Sequence, residues 1–272
     1  MALNNKPRQV RSGYEVYTAK STNSRREQRP SRRLPRIPSF KGGKLLLIAA
    51  AAILGIWAIG STLISSVRVS GTTNLASKDV ERLIRSDISR NPWYASYFTI
   101  GGLNINRTVP EQEPRIKTAT VTKLFPSTIK VAIVERQPGL VWVSAGENWE
   151  VDVEGMIIGA AGSNKPMARV IDTANIPVKP GDRVAPSRFV QFCQSLAQQL
   201  HNTTGLDIQN FEVPESTSEV YVKTNKNYLV KFDTTRSATD QLSDLALVIK
   251  NLNGKVPSQY IDLRVAGRAY YQ

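Results

Sequence analysis

One long apolar run dominates the hydrophobic pattern of this chain. The run covers residues 45–64, contains no charged residue, and lies between Lys44 and Arg68. A helix of this length, at about 1.5 Å per residue, covers the roughly 30 Å of hydrocarbon in a bilayer. We therefore predict a transmembrane helix over residues 45–64, with a short segment before it and a segment long enough to fold after it.

A cleaved signal peptide is the alternative interpretation of the apolar run. The hydrophobic part of a signal peptide has about 7–15 residues and follows a short basic region. Here the run has 20 residues and follows 44 others, although Ala58-Ile59-Gly60 resembles a weak cleavage site. These proportions favour a retained anchor.

Residues 65–138 have the pattern of a small α/β module. Val67–Gly71 predicts a short strand, and a helix is expected to begin near Ser77, with Asn74 or Ser77 as its cap. Its apolar positions are Val80, Leu83, Ile84 and Ile88. Residues 93–113 contain a Gly-Gly pair and leave room for only a short second helix.

The module is predicted to end in a hairpin. Apolar and polar residues alternate over Ile116–Thr122 and again over Thr128–Glu135, and a turn containing Pro126 separates the two runs. Such alternation indicates strands with one buried face.

Residues 139–272 predict a mixed β-rich domain with two helices. Its predicted strands are Val141–Ser144, Trp149–Val153, Met156–Ile158, Glu219–Lys223, Tyr228–Phe232, Tyr260–Leu263 and Ala266–Tyr271. One helix is expected over Ser187–Leu200, and the second begins at a capping sequence, Ser237 to Asp240. The predicted fold class is therefore α+β.

Charge is concentrated in the segment before the apolar run. The whole chain carries +14, but residues 1–44 alone hold twelve basic and two acidic residues, and so carry +10. The composition of this tail predicts disorder, and its charge predicts a cytoplasmic N-terminus and contact with anionic lipid headgroups. A docking site for a cytosolic protein is the alternative role. Because the remaining residues carry only +4, we expect no nucleic-acid partner.

The sequence contains no recognisable catalytic constellation. Cys193 is the single cysteine and is expected to be a buried thiol, while the single histidine, His201, cannot supply a multi-histidine metal site. Ser127-Thr128-Ile129-Lys130 matches the S-x-x-K motif of penicillin-binding enzymes, but it leads into a strand pattern rather than a helix. Trp142 and Trp149 are expected to be packing aromatics rather than a sugar platform. We predict a protein that is not an enzyme and that needs no cofactor or metal.

The order of several short motifs resembles a known family. The apolar run, Val67–Gly71, Phe125–Val131, Glu135–Pro138 and the later Asp152–Ile158 follow one another as they do in the FtsQ/DivIB family of bacterial cell-division proteins. The resemblance implies a POTRA module, a domain that assists protein interactions, over residues 65–138. It also implies partners of the FtsB/FtsL type, bound outside the cytoplasm at the division septum.

The resemblance places partner binding at the last strand. A strand at a sheet edge leaves N–H and C=O groups free for a strand from another chain. The predicted partner-binding residues are Arg264, Val265, Ala266, Gly267, Arg268, Ala269 and Tyr270. A last strand that only closes the sheet is the alternative, and Val67–Gly71 is a second candidate docking edge.

Three functions remain open from the sequence. The first is a non-enzymatic scaffold that spans the membrane and holds division partners together during septal wall synthesis. The second is a POTRA-bearing protein that guides or transports polypeptides, which repeated POTRA modules would favour. The third is a membrane-anchored cell-wall enzyme, which would require a catalytic set.

Overall fold

The computed structural model of the chain describes residues 43–162 and 167–272. Its first element is α1 (Gly43–Ser61), whose length and apolar composition suit a membrane span. This helix begins two residues before the start of the predicted span and ends three residues before the end of that span. The predicted disordered tail, residues 1–44, lies outside the described residues, apart from the two that begin α1.

The helix α1 ends early because residues 62–64 pair with a neighbouring segment, residues 95–97. The N–H of Tyr97 donates to the carbonyl of Thr62 at 2.7 Å. The apolar run of the sequence therefore extends beyond the helix that it forms.

The segment after α1 forms a three-stranded sheet with two helices. The elements are β1 (Ser66–Ser70), α2 (Ser77–Arg90), α3 (Ile105–Gln112), β2 (Ile116–Leu124) and β3 (Thr128–Glu135). The strand order is β1-β3-β2, with β1 parallel to β3 and β2 antiparallel to it. The predicted hairpin and its Pro-containing turn are confirmed. Buried side chains of both helices and all three strands form one hydrophobic core.

The predicted cap of α2 is wrong. The N-cap residue is Ala76, and no side chain caps the helix. Instead, Asn74 donates its backbone N–H and its side-chain amide to Glu135, and the Ser77 hydroxyl bonds the Thr72 hydroxyl. A distant partner, Glu135, holds Asn74, and a nearby hydroxyl, that of Thr72, holds Ser77, so neither side chain caps the helix.

Residues 93–113, for which the sequence left room for only a short second helix, do contain such a helix. Two 3₁₀ turns, Pro92–Tyr94 and Ile100–Leu103, precede the eight-residue α3. The Tyr94 ring packs on Gly102 so closely that an added Cβ there would lie 2.5 Å from the ring. The glycine pair therefore permits a close contact as well as interrupting the helix.

Residues 138–271 contribute a nine-stranded sheet and two helices. The strands are β4 (Pro138–Ser144), β5 (Glu147–Asp152), β6 (Ile157–Ala160), β7 (Arg169–Asp172), β8 (Ile208–Val213), β9 (Glu219–Thr224), β10 (Leu229–Asp233), β11 (Tyr260–Asp262) and β12 (Tyr270–Tyr271); the helices are α4 (Ser187–Thr204) and α5 (Ala238–Asn251). The strand order is β12-β11-β10-β9-β8-β7-β4-β5-β6. The sequence patterns did not predict β7 and β8.

The helices α4 and α5 supply much of the second core. Side chains of both helices, such as Phe189, Leu196 and Leu242, are fully buried among those of the sheet, such as Phe211 and Phe232. The predicted α+β class is confirmed. The two cores share no residue, and the division of the chain at residues 138 and 139 stays a prediction.

Candidate partner-binding edge

The strand β12 is an edge of the nine-stranded sheet. It pairs antiparallel with β11, so that Tyr271 lies opposite Ile261 and Tyr270 opposite Asp262. The strand was predicted over Ala266–Tyr271 but contains only its last two residues. Of the seven predicted partner-binding residues, the structure places only Tyr270 in the strand.

The other predicted residues form the loop between β11 and β12. Gly267 has φ +69°, a left-handed conformation that favours glycine, and the N–H of Arg268 donates to the Val265 carbonyl at 3.2 Å. Residues 265–268 are exposed, whereas Ala269 packs against the hydrophobic core. The loop conformation explains why the observed strand is shorter than the predicted one.

Arg264 is held by acidic residues of its own sheet. Its guanidinium contacts the Asp262 carboxylate at 2.7 Å and the Glu219 carboxylate at 2.6 Å, and it lies 5.8 Å from the centre of the Tyr221 ring. The hydrogen bonds to Asp262 and then to Glu219 raise the pKa of Arg264 above its ordinary value, although burial opposes them. This side chain therefore anchors the start of the loop.

One face of the sheet carries a polar row that ends at the edge. The strand registers place Tyr221, Lys231, Asp262 and Tyr270 side by side on β9 to β12. The Lys231 ammonium lies 5.2 Å from the Tyr221 ring centre and 4.2 Å from that of Tyr260. A cation above aromatic rings stabilises this face. Tyr270, which is 49% exposed, lies at the end of the row.

The other face of β12 adjoins a groove against α5. Tyr271, 60% exposed, lines a groove of about 220 Å³ together with Val248, Asn251, Leu252 and Ala269. Side chains alternate across a strand, so an added strand would direct every second side chain towards the α5 side of the sheet. The groove offers such a side chain an apolar contact.

The backbone of β12 offers hydrogen bonds on its outer side. The N–H of Gln272 donates to Tyr260, and its carbonyl accepts from Gln259 at 2.8 Å, so Gln272 faces β11. Because backbone groups alternate along a strand, the N–H and C=O of Tyr271 point away from the sheet.

The opposite edge of the same sheet is covered at Ile157. On β6 the N–H of Ile157 donates to Asp182 at 2.9 Å, and its carbonyl accepts from Gly181 at 2.8 Å. In the smaller sheet, β1 and β2 are the edge strands. The strand β1 therefore has the edge position expected of a second docking site.

Other residues considered for chemistry have structural surroundings. Trp142 is buried and contacts the Phe189 ring edge-to-face at 6.2 Å, which confirms its packing role. Burial raises the pKa of the Cys193 thiol, as a structural cysteine requires. Ser127 lies in the hairpin turn, where its hydroxyl contacts that of Ser65 at 3.0 Å. The strand interpretation of the S-x-x-K sequence is confirmed.

The residues on the α5 side of the edge were not predicted from the sequence. Val248, Asn251 and Leu252 line the groove, yet in the sequence they belong to an ordinary amphipathic helix.

Comparison with known proteins identifies the first domain and several relatives. A family model described as the POTRA domain, FtsQ-type, matches residues 62–136. The cell division protein FtsQ of Chloroflexus aggregans is 29% identical over 155 residues, which cover 56% of this chain and 55% of that protein. FtsQ of Chloroflexus aurantiacus is 29% identical over 161 residues, covering 58% and 57%.

A third relative comes from another lineage. FtsQ of Streptomyces venezuelae is 31% identical over 160 residues, which cover 54% of this chain and 57% of that protein. The chain thus spans a little over half the length of these relatives. An FtsQ-type POTRA domain directly after α1, and FtsQ relatives that align over more than half of the chain, support the assignment of this chain to the FtsQ/DivIB family.

Proposed function

We propose that this protein is a non-enzymatic cell-division scaffold that α1 anchors in the cell membrane. The observation that carries the proposal is the FtsQ-type POTRA domain immediately after α1, in a chain whose relatives are cell division proteins. The basic tail favours a cytoplasmic N-terminus on anionic headgroups and an extracytoplasmic bulk. In this arrangement the scaffold organises septal wall synthesis and uses no cofactor.

Partner binding in this proposal occurs partly by strand addition at β12. A segment of an FtsB/FtsL-type partner pairs with the outward backbone groups of Tyr271, while its side chains contact the groove and the exposed loop residues 265–268. The open outer side of β12, the opposite edge covered at Ile157 and the adjacent groove support this site.

Replacing Tyr271 with proline tests the site, because proline removes the outward N–H. In the full chain reconstituted in bilayers, Tyr271→Pro should weaken binding to an FtsB/FtsL-type complex by about tenfold, which corresponds to about 1.4 kcal/mol. Tyr271→Phe is the matched control and should bind like the wild type, since it keeps the N–H. Equal affinity of the proline variant and the wild type would place the interface elsewhere.

The non-enzymatic part of the proposal has its own test. The full chain should neither degrade purified cell wall nor polymerise its lipid-linked precursor. Turnover of either substrate by wild-type protein would contradict the scaffold function while leaving the strand-addition site unaffected.

A further inference from the structure

Large apolar side chains are exposed in the segments that follow α1. Trp93, Phe125 and Phe98 are 87%, 71% and 69% exposed, and Leu63 and Leu124 are 50% and 41% exposed. We call these five residues the aromatic face. Single exposed apolar residues are ordinary on soluble surfaces, but a contiguous group marks an interaction site.

Contacts through Ser96 and Tyr97 bring Leu63, Phe98 and Phe125 together beside the end of α1. Leu124 precedes Phe125 directly in the chain, and Trp93 lies three residues before Ser96. The ring of Tyr97 contacts those of Phe98 and Phe125 edge-to-face, with centroids 5.4 Å and 5.5 Å apart. Leu63 forms an antiparallel bridge with Ser96. Because Leu63 lies two residues beyond the last residue of α1, the aromatic face begins where the chain leaves the apolar helix.

The charged residues within the segments that carry the aromatic face have one sign. Residues 62–70, 91–104 and 120–130 form this region and contain no Asp or Glu. Their basic residues are Arg68, Lys123 and Lys130. The Lys123 ammonium lies 5.8 Å from the centre of the Tyr97 ring, so positive charge accompanies the aromatic side chains.

We propose that the aromatic face inserts into the headgroup region of the bilayer that α1 spans, and so holds the POTRA domain against the membrane surface. Tryptophan and other aromatic side chains favour this interface, and basic side chains are attracted to anionic lipids. The occupant is the lipid interface because the face starts at the helix end and carries the charge that complements an anionic surface. The inference rests on the anchoring of α1.

Tryptophan fluorescence in nanodiscs that contain anionic phospholipid tests the proposal on the full chain. The four tryptophans are Trp57 in α1, Trp93, Trp142 and Trp149. The emission of Trp93 is obtained by subtracting the fluorescence of the Trp57→Phe/Trp93→Phe variant from that of the Trp57→Phe variant. Lipids brominated near the glycerol end of the acyl chain should quench at least about half of it, because they sample the interface.

The double variant Trp57→Phe/Trp149→Phe is the control and should retain the quenched component. Trp93 emission that brominated lipid does not quench and that aqueous iodide quenches would overturn the proposal. So would protection of Trp93 only after a protein partner is added. The emission of Trp57 is obtained by subtracting that of Trp57→Phe from that of the wild type, and its quenching by brominated lipid reports the insertion of α1. Failure of the anchor is therefore distinguishable from failure of the aromatic face alone.

Discussion

Glu135 shows how one side chain connects distant parts of the POTRA domain. Its carboxylate, at the end of β3, accepts backbone N–H groups of Thr73, Asn74 and Leu75 at 2.6 to 3.0 Å. Burial acts to raise the pKa of Glu135, but the hydrogen bonds from Leu75, Asn74 and Thr73 lower it further than burial raises it. The segment before α2 is therefore fixed by a residue about sixty positions away.

Glu135→Gln should lower the free energy of unfolding by roughly 1.5–3 kcal/mol at pH 7, as for hydrogen bonds to charged groups. The folded-state pKa lies below the unfolded value of about 4.3, so the carboxylate stabilises the fold above that pH. The stabilisation by the carboxylate is lost as the pH falls through the folded-state pKa. The difference in the free energy of unfolding between the variant and the wild type should therefore become smaller in that pH range.

Thermal unfolding of the full chain in detergent, followed by near-ultraviolet circular dichroism from pH 7 to pH 3, measures this effect. Glu147→Gln makes the same chemical change at an exposed position and should leave the unfolding temperature nearly unchanged. Equal effects of the two substitutions would contradict the role assigned to Glu135.

At the scale of elements, helices with a local signal were predicted well. Ser237 caps α5 as the sequence indicated, accepting the N–H of Asp240 at 3.3 Å. The four-residue β7 was missed because it is short. The six-residue β8 was missed because its apolar residues, Ile208, Phe211 and Val213, do not alternate strictly with polar ones. Segments with a clear period or cap were therefore predictable, and strands without strict alternation were not.

Ser237→Ala should destabilise the protein by about 1 kcal/mol, because the first turn of α5 loses its side-chain acceptor. Ser243→Ala is the matched control, since that hydroxyl bonds within the exposed helix surface and alanine is a better helix former. Chemical denaturation of the full chain in detergent measures both. A Ser237 variant as stable as the control would show that the cap contributes nothing.

At the scale of the molecule, an ion-pair network connects the POTRA sheet with the first strands of the larger sheet. Arg136, just after β3, contacts Asp152 at 2.7 Å and Glu154 at 2.9 Å, and Lys117 contacts Glu154 at 2.7 Å. The Asp152 side chain is only 2% exposed. Two motifs that were separate in the sequence, one around Arg136 and one beginning at Asp152, thus form one junction.

Arg136→Met should lower the free energy of unfolding by about 3 kcal/mol, because it leaves the buried Asp152 carboxylate without its cation. Lys117→Met removes the other cation near Glu154, but from an exposed pair, and should cost less than about 1 kcal/mol. Urea denaturation of both variants makes the comparison. An Arg136 variant no less stable than the Lys117 variant would rule out the junction.

The sequence by itself determined the apolar helix, the α+β class, the hairpin of the POTRA domain and the cap of α5. Each depends on local spacing, because period, capping and hydrophobic length act between neighbours in the chain. Only the tertiary structure decided the end of α1, the role of Glu135 and the extent of β12. These depend on residues 95–97, on the loop before α2 and on β11, and contacts over such separations arise only when the chain is folded.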